Sequence, residues 1–205
     1  MKRKLYTNLL QFLLFILLIF SGCKPALLGE FLLTEEEKEA VPFKGSETLK
    51  YIYHDSIISL SCNYRKDTTF QATGGVMTDD YYIWETDEIG FEGGDFEIFY
   101  SLQSREEWYS YDRFNIHWKD DVNNLYANSS FILPLDTDYL DYSQGYLELM
   151  TVHGIDYRSV FYDSLKVDTA SIGPSTPIVL FYNKDAGIIR LDFQDGSSWE
   201  LKEIE

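Results

Sequence analysis

Histidine is scarce in this chain of 205 residues. His54, His117 and His153 form no His-x-x-x-His pair and no other zinc-ligand spacing, so no metal ion is expected on a histidine motif. There is no Gly-x-Ser-x-Gly elbow, no phosphate loop and no dinucleotide fingerprint, and no cofactor is expected. Cations are few: 17 Lys and Arg against 34 Asp and Glu, for a formal net charge of −17. Nucleic-acid phosphates are bound through Lys and Arg, so no nucleic-acid partner is expected, and anionic lipid headgroups are repelled as well. No long apolar repeat of period 3.6 occurs, which argues against a helical fold, and no internal repeat is visible. Only two cysteines are present, Cys23 and Cys62.

What the chain has is strand residues. Hydrophobic residues make up 45% and aromatic residues 17%, enough for a packed core, and the length suits one ordinary domain. From Thr48 onward Tyr, Phe, Ile, Val, Thr and Trp dominate, with turn residues at short intervals. Strands are expected over 49–54, 57–64, 69–77, 81–86, 95–102, 113–119, 130–134, 145–152, 157–167, 177–182, 188–193 and 198–202. The connections are mostly too short for parallel crossovers, so the pairing is antiparallel.

The last two strands can be registered. Ile189, Leu191 and Phe193 alternate on one face, as do Trp199 and Leu201. A two-residue Asp195-Gly196 turn would split these apolar sets between the two faces. A three-residue loop of Gln194, Asp195 and Gly196 pairs Leu191 with Trp199 and Ile189 with Leu201, giving one apolar stripe. Burial fixes register, since a slip of one residue flips every side chain. A type I turn with Gly196 left-handed in a G1 bulge follows.

Upstream, residues 23–45 read as an acidic tether ahead of a single β-rich domain over 46–205. Thr34-Glu35-Glu36-Glu37 fits a capping box, and Pro42 limits any helix there to about two turns. Cys62 lies in the alternating run Leu60, Cys62, Tyr64 and reads as a buried structural thiol.

The N-terminus carries a resemblance. Lys2, Arg3 and Lys4 precede an almost wholly apolar run from Leu9 to Phe20, too short for a spanning helix, followed by Ser21-Gly22-Cys23. Residues 1–22 with Cys23 resemble a bacterial lipoprotein signal peptide. The resemblance implies cleavage between Gly22 and Cys23, lipidation of Cys23, and anchoring of the mature chain to a membrane by two or more acyl chains. Loss of residues 1–22 removes three cations and no acid, which takes the charge from −17 to −20. Cys62 is then left without a partner thiol. Lys24 follows the cysteine instead of the Asp of inner-membrane retention, so the periplasmic face of an outer membrane is expected.

At the other end, Tyr182-Asn183-Lys184-Asp185-Ala186-Gly187-Ile188-Ile189-Arg190, then Asp195-Gly196 and Trp199-Glu200-Leu201, resemble the last strands of Bacteroidetes outer-membrane lipoproteins of unassigned function. The pattern is also similar to periplasmic lipoprotein-carrier-like proteins, whose fold is an open antiparallel half-barrel. The expected fold is therefore mainly β: an antiparallel curved sheet forming an open half-barrel, a small barrel or a sandwich. Asp55-Ser56-Ile57 and Asp168-Thr169-Ala170 resemble the Asp-(Ser/Thr)-apolar acceptors of Bacteroidetes O-glycosylation, which implies glycan at Ser56 or Thr169. Without it these are turn and strand-end residues.

Chemistry is thin. Carboxylate clusters such as Glu85/Asp87/Glu88, Glu92/Asp95 and Asp136/Asp138/Asp141 suit glycoside hydrolysis in principle, but 34 acids make close pairs by chance. Asp136-Thr137-Asp138 and Asp120-Asp121-Val122-Asn123 offer calcium-type oxygens without the EF-hand loop, and read first as solvated loops. Trp108-Tyr109-Ser110-Tyr111, near Arg105 and Arg113, offers rings that stack on sugars, against the plainer reading of strand aromatics with wet tips. The expectation is a membrane-anchored, non-catalytic envelope module that binds a ligand or a protein partner. The alternatives are a carboxylate-based glycan hydrolase and a structural scaffold of an outer-membrane complex.

Overall fold

Alternation with a period of two gives the sheet one dry face. In β6 (Arg113–Asp120) Phe114, Ile116, Trp118 and Asp120 are buried, and in β7 (Leu125–Ile132) Leu125, Ala127, Ser129 and Phe131 are buried. A computed structural model describes residues 25–73, 80–105, 111–167 and 176–205. The preceding strands are β1 (Leu27–Phe31), β2 (Thr48–Tyr53), β3 (Ser56–Thr73), β4 (Tyr81–Gly93) and β5 (Phe96–Gln103). After β7 come β8 (Gln144–Val152), β9 (Ile155–Ser164), β10 (Lys166–Val167), β11 (Pro177–Asn183), β12 (Gly187–Phe193) and β13 (Ser198–Ile204). Among the described residues the only helices are α1 (Glu35–Lys38) and a 3-10 turn at Thr137–Tyr139.

The strands form one open, strongly curled sheet, a half-barrel, in the order β10, β7, β6, β5, β4, β3, β2, β13, β12, β11, β9, β8. β2 to β7 run as a meander, and the C-terminal strands continue outward from β2. Pairing is antiparallel throughout, except that β1 lies parallel to β4. β9 and β10 are separated only by Leu165, whose N–H goes to the Ile178 carbonyl. The chain changes partner there, from β11 to β7. Ser129 Oγ donates to Asp163 at 2.7 Å and Gln144 Nε2 to the Ser130 carbonyl at 2.7 Å, tying the two arms of the sheet together.

The C-terminal hairpin has the expected register, with Leu191 opposite Trp199 and the Phe193 N–H donating to the Ser197 carbonyl at 2.9 Å. Gly196 has φ +85°. Other strand expectations fail, among them 81–86, which runs on to Gly93 as β4, and 157–167, which breaks at Leu165. Residues 57–64 and 69–73 are not separate strands: β3 runs unbroken from Ser56 to Thr73, paired with β4 through Lys66, Asp67 and Thr68, and residues 74–77 of the expected second strand lie outside the described residues. Those polar residues resemble a turn, but the ladder and the ion pairs around Asp67 and Asp87 hold them extended. β7 begins at Leu125, ahead of the expected 130, directly after Asn124 (φ +50°) ends the turn.

The segment read as a tether also packs. The capping box is present, with the Glu37 N–H on Thr34 Oγ1 at 3.2 Å and the Thr34 N–H on Glu37 Oε2 at 2.7 Å. Leu33, Ala40, Val41 and Phe43 are buried on the concave face. The Phe43 ring meets Phe91 at 4.8 Å and Tyr100 at 5.3 Å. Tyr182 Oη donates to the Ala40 carbonyl and an Arg65 guanidinium N–H to that of Phe43. From residue 27 onward the expected spacer is part of the fold: the ladder to β4 holds β1, whose Leu27 and Leu28 stay exposed, and Leu33, Ala40, Val41 and Phe43 complete the core.

Candidate functional site

The concave face is filled. Tyr51, Tyr100, Tyr182, Phe91, Phe114, Trp118 and Trp199 are buried there, and the strap of residues 33–43 packs over Phe91, Tyr100 and Tyr182. Their phenols are partnered: Tyr51 Oη donates to the Ile188 carbonyl at 3.0 Å, and the Ile188 N–H donates to Tyr100 Oη at 3.3 Å. Burial pushes the Tyr51 and Tyr182 phenols far up, so they stay neutral.

The outer face carries the rings that reach solvent. Tyr64 on β3, Gly90 on β4, Phe99 on β5, His117 on β6 and Asn128 on β7 occupy successive opposed positions across five strands. Ring centroids lie 6.0 Å apart for Tyr64 and Phe99, 5.5 Å for Phe99 and His117, and 5.6 Å for His117 and Tyr126. The planes tilt by only 37°, 36° and 26° from one ring to the next. Gly90 permits this. A Cβ there would lie 2.5 Å from the Tyr64 ring, so the missing side chain lets that ring lie down over β4. A bulge between Cys62 and Tyr64 turns Tyr64 outward, while Leu60 stays buried. The shared face expected for Leu60, Cys62 and Tyr64 is thereby broken, and Cys62 is only half-buried, its Sγ 3.4 Å from the Tyr64 carbonyl.

At one end of the row Glu97, Phe99, His117, Lys119 and Tyr126 line a surface pocket of about 240 Å³. Burial lowers the His117 pKa, so the imidazole is neutral at pH 7, and Tyr126 Oη shares a hydrogen bond with its Nδ1. Burial pushes the Tyr64 phenol up to about 12, helped by Glu88 and Glu97. Lys119 Nζ sits 2.6 Å from Asp121 and 4.0 Å from Glu97, and Asn63 Nδ2 donates to Glu92 at 3.1 Å. The row is thus an uncharged aromatic shelf on an acidic protein.

Gly22, Cys23 and Thr169 lie outside the described residues, as do Trp108, Tyr109 and Ser110. Ser56 is exposed at the start of β3, beside the His54-Asp55 turn. Tyr111 is exposed and lies 5.9 Å from Tyr139, and Arg105 sits over the Phe31 ring at 5.4 Å. The acidic clusters are used structurally. Glu85 pairs with Lys38 at 2.6 Å and Asp87 with Arg65 at 2.6 Å, both carboxylates buried under the strap. Asp120 accepts from the Asn123 backbone and side chain, and Asp136 from the Asp138 N–H, so each closes its own turn. Among the described residues no three acids, histidines or cysteines converge as a metal site.

One carboxyl pair was not anticipated. Burial pushes the Asp112 carboxyl up to about 6, and its hydrogen bond to Glu37 adds to the rise. Burial acts against ionisation of Glu37 too, but hydrogen bonds from Asp112 and from the Thr34 backbone and hydroxyl outweigh it and hold Glu37 below the usual range. The shelf itself was partly legible. His117 alternates with the apolar Ile116 and Trp118, which leaves the imidazole outside, and Phe99 sits at an outward position between Ile98 and Tyr100. The bulge that brings Tyr64 beside them has no sequence signature. Comparison with protein-family models, with curated proteins and with solved structures finds no significant match.

Proposed function

We propose that this chain is a lipid-anchored, non-catalytic module of a bacterial cell envelope, held at Cys23 and binding its ligand on the outer aromatic shelf. The observation that supports binding is the row of half-exposed rings, Tyr64, Phe99, His117 and Tyr126, on a sheet whose other face is already filled. The strap supports a membrane-proximal arrangement. Strand β1 begins at Leu27, so only Lys24, Pro25 and Ala26 separate Cys23 from the first strand, which would hold the domain near the membrane. In this reading the anchor faces the periplasm from the outer membrane.

Intact mass of the protein from its native membrane, beside a Cys23→Ser variant, tests the anchor. The expected spectrum has lost residues 1–22 and gained acyl mass, and the variant lacks the acyl mass. The same spectrum reads any glycan at Ser56 or Thr169. An unmodified full-length mass overturns the anchor. A hydrolase is the second reading, because Glu37 and Asp112 bring two carboxyls together and burial pushes that of Asp112 up to about 6. It ranks second because Glu37 is buried and committed to the Thr34 cap.

A further inference from the structure

The chemistry of the shelf narrows its ligand, and this step rests on the binding reading above. We infer that the outer shelf takes a neutral polysaccharide, laid across the strands with sugar rings stacked on Tyr64, Phe99, His117 and Tyr126. Three ligand classes can be weighed against the residues present. An anionic chain meets Glu88, Glu92 and Glu97 around the rings and a formal charge of −17 on the whole protein. A cationic ligand would be drawn to Glu88 and Glu92, but at the Phe99–His117–Tyr126 end of the row it meets Lys119 between Glu97 and Asp121, and its binding would fall steeply with salt where that of a sugar would not. A purely apolar ligand would strip water from the carboxylates of Glu92 and Glu97 at the shelf edges, each of which has, among the described residues, one partner there, Asn63 and Lys119 respectively.

A neutral sugar fits what remains. Its C–H face packs on an aromatic face, and its equatorial hydroxyls reach amide and carboxylate neighbours. The rings sit on four of the five strands from β3 to β7 with tilts of 26° to 37° between neighbours, so the shelf is a track that a chain of sugars can follow. The neutral His117 lets the middle of the track stack without carrying charge. Gly90 is part of the device, since any side chain there would lift Tyr64 off the track.

The test is affinity electrophoresis of the Cys23→Ser protein through gels holding laminarin, xylan, mannan or dextran, with polygalacturonate as the anionic probe. Retardation by at least one neutral gel is expected. Phe99→Ala and Tyr64→Ala, each truncating an outward ring, should weaken it about tenfold. Glu200→Gln, on β13 away from the shelf, should leave it unchanged. Circular dichroism of each variant confirms the fold, and where Phe99→Ala fails to fold, Tyr64→Ala decides. Stronger retardation by polygalacturonate, or none by any neutral gel, overturns the ligand class. Equal retardation of wild type and ring variants overturns the shelf as the site. Neither result bears on the anchor, which the Cys23 mass decides separately.

Discussion

Gly196 is required for its backbone alone. Its φ is +85°, and a Cβ built there would meet nothing within 4 Å. Gly196→Val should therefore cost about 1–2 kcal/mol, the penalty of a β-branched residue at positive φ, and Gly196→Asn clearly less. Urea unfolding of the two variants measures this, and equal midpoints would show that the loop relaxes to another turn. Gly93 is the opposite case: a Cβ would stand 1.9 Å from the Ser59 carbonyl oxygen, so Gly93→Ala has to separate β3 from β4 and should cost more than Gly196→Val. The first glycine was legible in the sequence, because the apolar residues Leu191 and Trp199 dictate the loop length. The second was not. Its constraint comes from a strand 34 residues earlier, and nothing local to Gly93-Gly94 distinguishes the crowded glycine from the free one.

At the scale of elements, the strap of residues 33–43 carries the main revision. Its acidic run and Pro42 read as a spacer, and the capping box at Thr34 was legible for what it is. The burial of Leu33, Val41 and Phe43 was not, since isolated apolar residues carry no period. Phe43→Ala should destabilise the whole domain by about 3–5 kcal/mol, as truncation of a core phenylalanine does. A loss below 1 kcal/mol would return the strap to the role of spacer. The strap also carries a pH dependence through the Glu37–Asp112 pair. Asp112 has its folded pKa raised to about 6, from about 4 in an unfolded chain. The folded state then binds the extra proton between these values, so this contribution is present at low pH and lost as pH rises from about 4 to 6. Glu37, with a lowered value, acts in the opposite sense and only below its unfolded pKa. Asp112→Asn keeps a donor toward Glu37 without a titrating proton. It should flatten the stability profile between pH 4 and 6 and gain about 1 kcal/mol over wild type at pH 7, after allowance for solvent screening. Thermal unfolding from pH 4 to 7 measures both. A variant with the wild-type slope would show that another group titrates there.

For the molecule as a whole, fold class and charge were readable from composition and strand spacing, because both are sums over many residues and tolerate local errors. The charge has a physical consequence that neither the strands nor the shelf displays. With 34 acids against 17 cations, the folded chain repels itself. Several of the cations are drawn into partly buried pairs, Lys38 with Glu85 and Arg65 with Asp87, which salt screens weakly. The acids left on the surface are open to screening. Added salt should therefore relieve repulsion faster than it weakens attraction, and Tm should rise by about 2–5 °C between roughly 10 mM and 0.5 M sodium chloride. A fall in Tm would mean that the ion pairs at the strap outweigh the surface repulsion. The same titration separates ligand classes at the shelf. Stacking of a neutral sugar on Phe99 and His117 involves no counterion release, so its affinity should hold across this salt range. A charged partner attracted to the acidic surface would weaken steeply over the same range.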